Sequence, residues 1–134
     1  MDPVVTVEES DRPLILVVDD DADVLALVAF SLERAGYDVD TAADGEEALA
    51  LAREHHPDLV VLDVMMPRLD GYGVARALRA GAETNRIPLV FLTARSRPSD
   101  RSRGVDAGAD DYVCKPFSPR DLSARVQTRL AAAA

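Results

Sequence analysis

Lysine is almost missing from this chain: of 15 basic residues one, Lys115, is Lys and the rest are Arg. Such a bias can follow from genomic composition, but a lone Lys at the end of an apolar run marks a place where a compact point charge is required. Cysteine is equally scarce. Cys114 is alone, so no internal disulfide can form, and its apolar run suits a buried small hydrophobe better than a redox thiol. A basic stripe is absent too. With 24 acidic residues and a formal net charge of -9, nucleic acid is excluded as a direct partner, and anionic partners are repelled unless a metal intervenes. Long apolar runs are also lacking. The strongest, around Val24 to Phe30, is far too short to span a bilayer, and no basic segment followed by an apolar one opens the chain. A soluble, cytoplasmic protein with no membrane partner is expected.

What is present is a foldable domain. The chain has 134 residues, 48% of them hydrophobic, which suits a single core and excludes disorder. Residues 1–12 read as a flexible acidic tail, 13–130 as the domain, and 131–134 as a C-terminal tail. From Leu14 onward, short apolar runs alternate five times with helix-patterned sequence. The first helix is expected from about Asp21 to Ala35, burying Val24, Leu27, Val28 and Leu32 and stopping at Gly36. A second strand is expected at about Tyr37 to Thr41. The second helix opens at Asp44-Gly45, buries Ala48, Leu49 and Ala52, and closes at His55-His56-Pro57. Adjacent histidines point in different directions on a helix, so His55 and His56 read as surface cations and not as a metal pair. Further helices are expected over about Tyr72 to Arg79, over Pro98 to Ala107, and from Ser118-Pro119 with an inward stripe of Leu122, Val126 and Leu130. Such alternation predicts an α/β fold, a flavodoxin-like doubly wound parallel sheet of five strands in the order 2-1-3-4-5 with five helices.

Four apolar runs end in different polar residues: Val18 runs into Asp19-Asp20, Leu62 into Asp63, Leu92 into Thr93, and Cys114 into Lys115. Parallel strands buried on both faces read as continuous apolar runs, and all end at one edge, where such sheets bind ligands. Three carboxylates gathered there repel: a pair of unit charges about 4 Å apart costs roughly 4 kcal/mol at an effective dielectric near 20. The cluster needs a cation, and hard oxygen donors favour Mg²⁺, which shares its shell readily with a phosphate. Lys115 and Thr93 add a charge and a hydrogen-bond donor suited to a transferring phosphoryl group, and a carboxylate can serve as its nucleophile.

Val17-Val18-Asp19-Asp20, Leu62-Asp63 followed by Met66-Pro67 and Asp70-Gly71, Leu92-Thr93-Ala94, and Asp110-Asp111-Tyr112 through Lys115-Pro116-Phe117 together resemble a response-regulator receiver domain of two-component signalling. The resemblance covers about residues 13 to 130. It implies that Asp63 accepts a phosphoryl group from a sensor histidine kinase or a histidine phosphotransfer protein. It further implies that Asp20, Asp63 and the main-chain carbonyl of Met65 bind Mg²⁺, with Asp19 helping through water. Lys115 would pair with the phosphoryl oxygens and precede a cis bond to Pro116, while Thr93 and Tyr112 would form the switch. Met65 and Arg95 stand where receivers tune the loss of the phosphoryl group; neither readily orients a water, which implies slow self-dephosphorylation. Arg101, Asp110, Asp111, Asp121, Arg125 and Arg129 resemble the charged face through which receivers of winged-helix regulators dimerise, Arg101 with Asp121 and Asp110 with Arg125. Asp121 and Arg125 equally suit an intrahelical pair. The chain reads either as a free-standing receiver or as the first part of a longer regulator.

Two other classes fit parts of this pattern. Asp19 and Asp21 form the Asp-x-Asp of a haloacid dehalogenase type phosphatase, but that reading leaves Asp63 without a role and finds only Asp121 as a later acidic ligand. A receiver-like interaction module that is never phosphorylated would not need every phosphotransfer position filled. The expected molecule is therefore a signalling switch and not an enzyme with turnover.

Overall fold

The computed structural model describes residues 11–94 and 98–133. Five parallel strands, β1 (Leu14–Val18), β2 (Asp38–Ala42), β3 (Leu59–Leu62), β4 (Leu89–Thr93) and β5 (Asp111–Cys114), alternate with five helices. These are α1 (Ala22–Arg34), α2 (Gly45–His55), α3 (Gly71–Ala80), α4 (Pro98–Ala107) and α5 (Pro119–Ala133). The strand order is 2-1-3-4-5, as the alternation predicts. Successive residues of a strand face opposite sides, and the core divides accordingly. Leu16, Val18, Val60, Leu62, Leu89 and Phe91 pack with Ala48, Ala52, Val74, Ala75, Leu78 and Ala107 of α2, α3 and α4. Ile15, Val17, Leu59, Val61, Val90 and Leu92 pack with Val28, Leu32, Leu122 and Val126 of α1 and α5. The central strands β1, β3 and β4 are buried on both faces. β2, at the edge, carries Asp38 and Asp40, charges that discourage pairing with another chain.

The helix boundaries follow from their caps. Asp21, Asp44 and Asp70 each accept backbone N–H bonds from the first turn of α1, α2 and α3, relieving donors that a helix start leaves unpaired. Gly36 has φ of 103°, the left-handed stop expected after α1. His56 ends α2 in the left-handed region, and His55 Nδ1 lies 2.7 Å from Asp40 on β2, so the histidines are surface groups that do not share a ligand. Four expectations need correction. Leu27 is 47% exposed, because the buried stripe of α1 runs through Val28 and Leu32. β2 starts one residue later than Tyr37, whose N–H caps the preceding turn through Leu32. Cys114 is half-buried at the edge strand, its sulfur 3.3 Å from Arg101 Nη2. Residues 131–133, read as tail, continue α5, in keeping with the high helix propensity of Ala. Most of the N-terminal tail, residues 1–10, lies outside the described residues.

Candidate functional site

The C-terminal ends of β1, β3, β4 and β5 bring Asp19, Asp20, Asp63, Thr93 and Lys115 to one edge of the sheet. Backbone bonds to neighbouring strands hold three of them. Asp63 N–H donates to Val18 O at 2.9 Å, Asp19 N–H to Ala42 O at 3.2 Å, and Lys115 N–H to Thr93 O at 2.7 Å. Asp19, Asp63 and Thr93 are buried, whereas Asp20 is exposed. Carboxylate oxygens of Asp19, Asp20 and Asp63 lie within 4.8 Å of one another, an all-oxygen donor set of the kind that suits a hard divalent cation. Lys115 Nζ lies 2.9 Å from Asp19 Oδ2 and 3.6 Å from Asp63 Oδ2.

The three carboxylates are not equivalent. Asp19 spends one oxygen on Lys115 and the other on the N–H of Asp21 at 2.9 Å. Its geometry is that of an anchor for Lys115 and for the start of α1. Asp63 keeps more capacity: Oδ1 accepts the N–H of Met65 at 3.2 Å, and Oδ2 is only loosely paired. Burial, then the neighbouring Asp19 charge, push the Asp63 carboxyl up to about 6, with Asp20 adding to the rise; the Met65 N–H and Lys115 oppose it. Burial pulls Lys115 down, but its hydrogen bond to Asp19 and the charges of Asp63 and Asp19 outweigh that and leave it raised. Lys115 is therefore a fixed cation near neutral pH, and the crevice still holds an uncompensated negative charge.

The Asp70-Gly71 pair shapes the loop after β3. The Asp70 side chain accepts the N–H of Gly73 at 2.9 Å, and Gly71 N–H donates to Val64 O at 2.9 Å. A Cβ at Gly71 would sit 2.3 Å from Asp63 O and 2.7 Å from Val64 Cα, so only glycine lets α3 start this close to the Asp63 backbone. Met65, in that loop, is half exposed. The bond from Lys115 to Pro116 is cis. Thr93 is buried beside Lys115, and Tyr112 lies inward, 6% exposed. Arg95 lies outside the described residues. Asp21, the second carboxylate of the phosphatase reading, caps α1 through the N–H groups of Asp23 and Val24 and takes no part in the cluster.

On the charged face of α4, β5 and α5, Asp110, Asp111, Arg125 and Arg129 are paired within the chain. Arg125 and Arg129 both reach Asp111, at 2.7 and 3.4 Å, in place of the intrahelical Asp121–Arg125 pair. Asp110 accepts from Arg79 at 2.9 Å and from Leu89 N at 2.8 Å. Arg101 lies over the Tyr112 ring, 5.1 Å from its centroid. Arg79, unremarkable in the sequence, also binds the carbonyls of Gly108, Asn85 and Ile87. Nothing in its local sequence signals this, because its partners come from two separate loops, the one before β4 and the one before β5.

The response regulator receiver domain family matches residues 15–127. This chain belongs to that family. The receiver is 52% identical over 116 residues to the probable transcriptional regulator ycf27 of Porphyridium aerugineum, covering 87% of the chain and 47% of that relative. It is 51% identical over 116 residues to the alkaline phosphatase synthesis transcriptional regulatory protein PhoP of Bacillus subtilis, covering 87% and 48%. The chain thus spans about half the length of these curated relatives. Among solved structures, the chemotaxis protein CheY4 of Vibrio cholerae superposes with a TM-score of 0.85 at 35% identity, covering 88% of this chain and 98% of CheY4. The BeF3-activated DrrB receiver domain gives 0.80 at 38%, covering 90% and 98%. The receiver is thus a phosphoacceptor module of two-component signalling, and none of its described helices is long and apolar enough to cross a membrane.

Proposed function

We propose that Asp63 is the phosphoacceptor of this receiver, taking the group from the phosphohistidine of a sensor kinase or a phosphotransfer protein. The observation that carries this is the placement of Asp63: buried at the sheet edge, with Lys115 Nζ at 3.6 Å and two further carboxylates within 4.8 Å. An Asp63 oxygen attacks phosphorus as the bond to the imidazole nitrogen breaks, and the departing imidazole keeps its electron pair and takes a proton from solvent. Lys115 follows the phosphoryl oxygens as negative charge gathers on them, and Asp19 holds Lys115 in reach. The Thr93 hydroxyl donates to a phosphoryl oxygen, and Tyr112 occupies the space behind it, so the loops after β3 and β4 take a second arrangement. Asp20, Asp63 and the Met65 carbonyl would hold Mg²⁺, with Asp19 acting through water because both its oxygens are engaged. Bound there, the ion would supply positive charge to the crevice and to the phosphoryl oxygens. Half-exposed Met65 cannot orient a hydrolytic water, which supports slow loss of the group.

The test is intact mass after incubation with acetyl phosphate and Mg²⁺. One phosphoryl adduct of about 80 Da, absent in Asp63→Asn and without Mg²⁺, is expected. No adduct, with phosphate release that persists in Asp63→Asn, would instead establish a phosphatase. The exposed Arg101, Asp121 and Arg125 further support a symmetric dimer of the winged-helix-regulator type upon phosphorylation, in which Arg125 exchanges Asp111 for Asp110 of the second copy while Asp110 keeps Arg79. Sedimentation with and without beryllofluoride tests this, and a monomer under both conditions would refute it.

A further inference from the structure

Two glycines stand in and just after α4, and they answer different needs. Gly108, past the end of the helix, has φ of 110°, the left-handed stop that favours glycine. Gly104 lies inside α4 with helical backbone, so no left-handed conformation calls for it. A glycine there costs backbone entropy that alanine would save. Its neighbours supply the reason: a Cβ at Gly104 would lie 3.0 Å from Phe91 Cδ2, 3.2 Å from Phe91 Cε2 and 3.1 Å from Tyr112 Cε2. α4 buries Gly104 and Ala107, so the helix approaches the sheet through its two smallest residues.

The two rings differ in how far they can yield. Phe91, on the central strand β4, is 0% exposed and stands between Tyr72 at 5.6 Å and Tyr112 at 6.0 Å, edge-on to both. A ring wedged on both sides in a close-packed core has nowhere to go. Tyr112 stands on β5, the last strand at the edge of the sheet. A methyl at position 104 is therefore relieved by Tyr112 turning out of the core or by α4 lifting. Lifting α4 would uncover Ala107 and Phe91 as well, whereas turning Tyr112 moves one side chain.

We propose that Gly104 is a positioning residue of the switch: the missing Cβ is what leaves room for the Tyr112 ring to lie inward beneath α4. This rests on the reading of Asp63 as phosphoacceptor and Tyr112 as its switch. A side chain at position 104 and an inward Tyr112 compete for one space, so any Cβ there lowers the population of the inward state. A phosphoryl mimic that favours the inward state must then repopulate it, and one overpacking methyl is expected to weaken its binding about 10-fold.

The experiment uses the whole chain labelled with 3-fluorotyrosine, whose three tyrosines are assigned by Tyr→Phe variants, followed by ¹⁹F NMR and titration with Mg²⁺ alone and with Mg²⁺ plus beryllofluoride. Wild type is expected to show one solvent-shielded Tyr112 resonance without ligand. Gly104→Ala should add a second, solvent-sensitive Tyr112 resonance and bind beryllofluoride about 10-fold more weakly, with Mg²⁺ affinity unchanged. In a Tyr112→Leu background the ring is gone, and there Gly104→Ala should change beryllofluoride affinity by less than about 2-fold. An equal loss in both backgrounds would overturn the inference, because the methyl would then act through Phe91 or α4 alone. An unchanged Tyr112 resonance in Gly104→Ala would overturn it too, and either result leaves the phosphoacceptor reading intact. Should Gly104→Ala fail to fold, recovery of folding in the Tyr112→Leu background supports the shared space, and failure in both refutes it. Beryllofluoride that fails to bind wild type at all would overturn the phosphoacceptor reading and, with it, this inference.

Discussion

Replacing Asp63 by Asn removes one negative charge from the crevice while keeping the side chain's shape, and without a divalent cation this should stabilise the domain. The magnitude follows from the raised carboxyl. The interval from 3.8 to about 6 corresponds to about 3 kcal/mol at 1.36 kcal/mol per pKa unit. That is a ceiling, since water at the mouth of the crevice screens the charges and leaves about 1–2 kcal/mol. The pH dependence has a definite sign. The folded state holds the Asp63 proton more tightly than the unfolded chain, so stability falls as pH rises between about 4 and 6 and stays lowered above that range. Asn at 63 has no such loss. In EDTA at pH 7.5 the variant should melt above wild type by about 4–8 °C for a domain of this size, and near pH 4 the difference should vanish. Adding Mg²⁺ should raise the wild-type melting temperature and narrow the gap, because the ion supplies the charge that Asn makes unnecessary. Calorimetry at the two pH values decides the matter. A variant that melts lower than wild type at pH 7.5, or an offset that is the same at both pH values, would refute the electrostatic account of this crevice.

Lys115→Met should destabilise the metal-free domain by about 2–3 kcal/mol, because it leaves Asp19 and Asp63 facing each other without a counter-charge; urea titration with and without Mg²⁺ checks this, and Mg²⁺ should recover much of the loss. Gly71→Ala places a methyl against Asp63 O and Val64 Cα, so a loss of about 1–3 kcal/mol should accompany failure to take up phosphate from acetyl phosphate, read by intact mass. Arg79→Ala strips donors from three carbonyls and from Asp110 and should cost about 2–4 kcal/mol in chemical denaturation, with phosphoacceptance at Asp63 retained. The hydrogen bond to Asp40 and the nearby acids outweigh burial and raise His55, so its ring should titrate by NMR above the ordinary histidine range and return toward it in Asp40→Asn. Any stabilisation from that pair is present below the ordinary range and fades as pH rises through the raised value.

Strand ends were legible because a buried parallel sheet writes each strand as an unbroken apolar run, and the first polar residue after it lands on a shared edge. That rule alone gathers Asp19, Asp20, Asp63, Thr93 and Lys115 before any geometry is known. It cannot divide labour among them. Asp19 and Asp20 are adjacent and chemically identical, yet one is buried with both oxygens committed and the other is exposed; the difference arises from the α1 cap and from Lys115, 96 residues away. Periodicity likewise places α1 but not the angle of its face, so it puts Leu27 in a core that ends at Val28 and Leu32.

Surface pairing was the least legible part, for an energetic reason. Arg125 lies one turn after Asp121, the order that favours a pair within a helix, but such a pair is worth only about 0.2–0.5 kcal/mol. Asp111 is less exposed and offers both its oxygens, to Arg125 and Arg129, so a modest gain in geometry suffices to redirect the arginine. In the proposed dimer the same small differences would let this face switch partners. Arg125 can exchange Asp111 for a carboxylate on a second copy at little cost, whereas Arg79, with three carbonyls and Asp110 as partners, cannot leave its place without exposing unsatisfied groups. Asp110 is therefore the anchored end of any exchange across this face, and the exposed Arg125 is the end free to move.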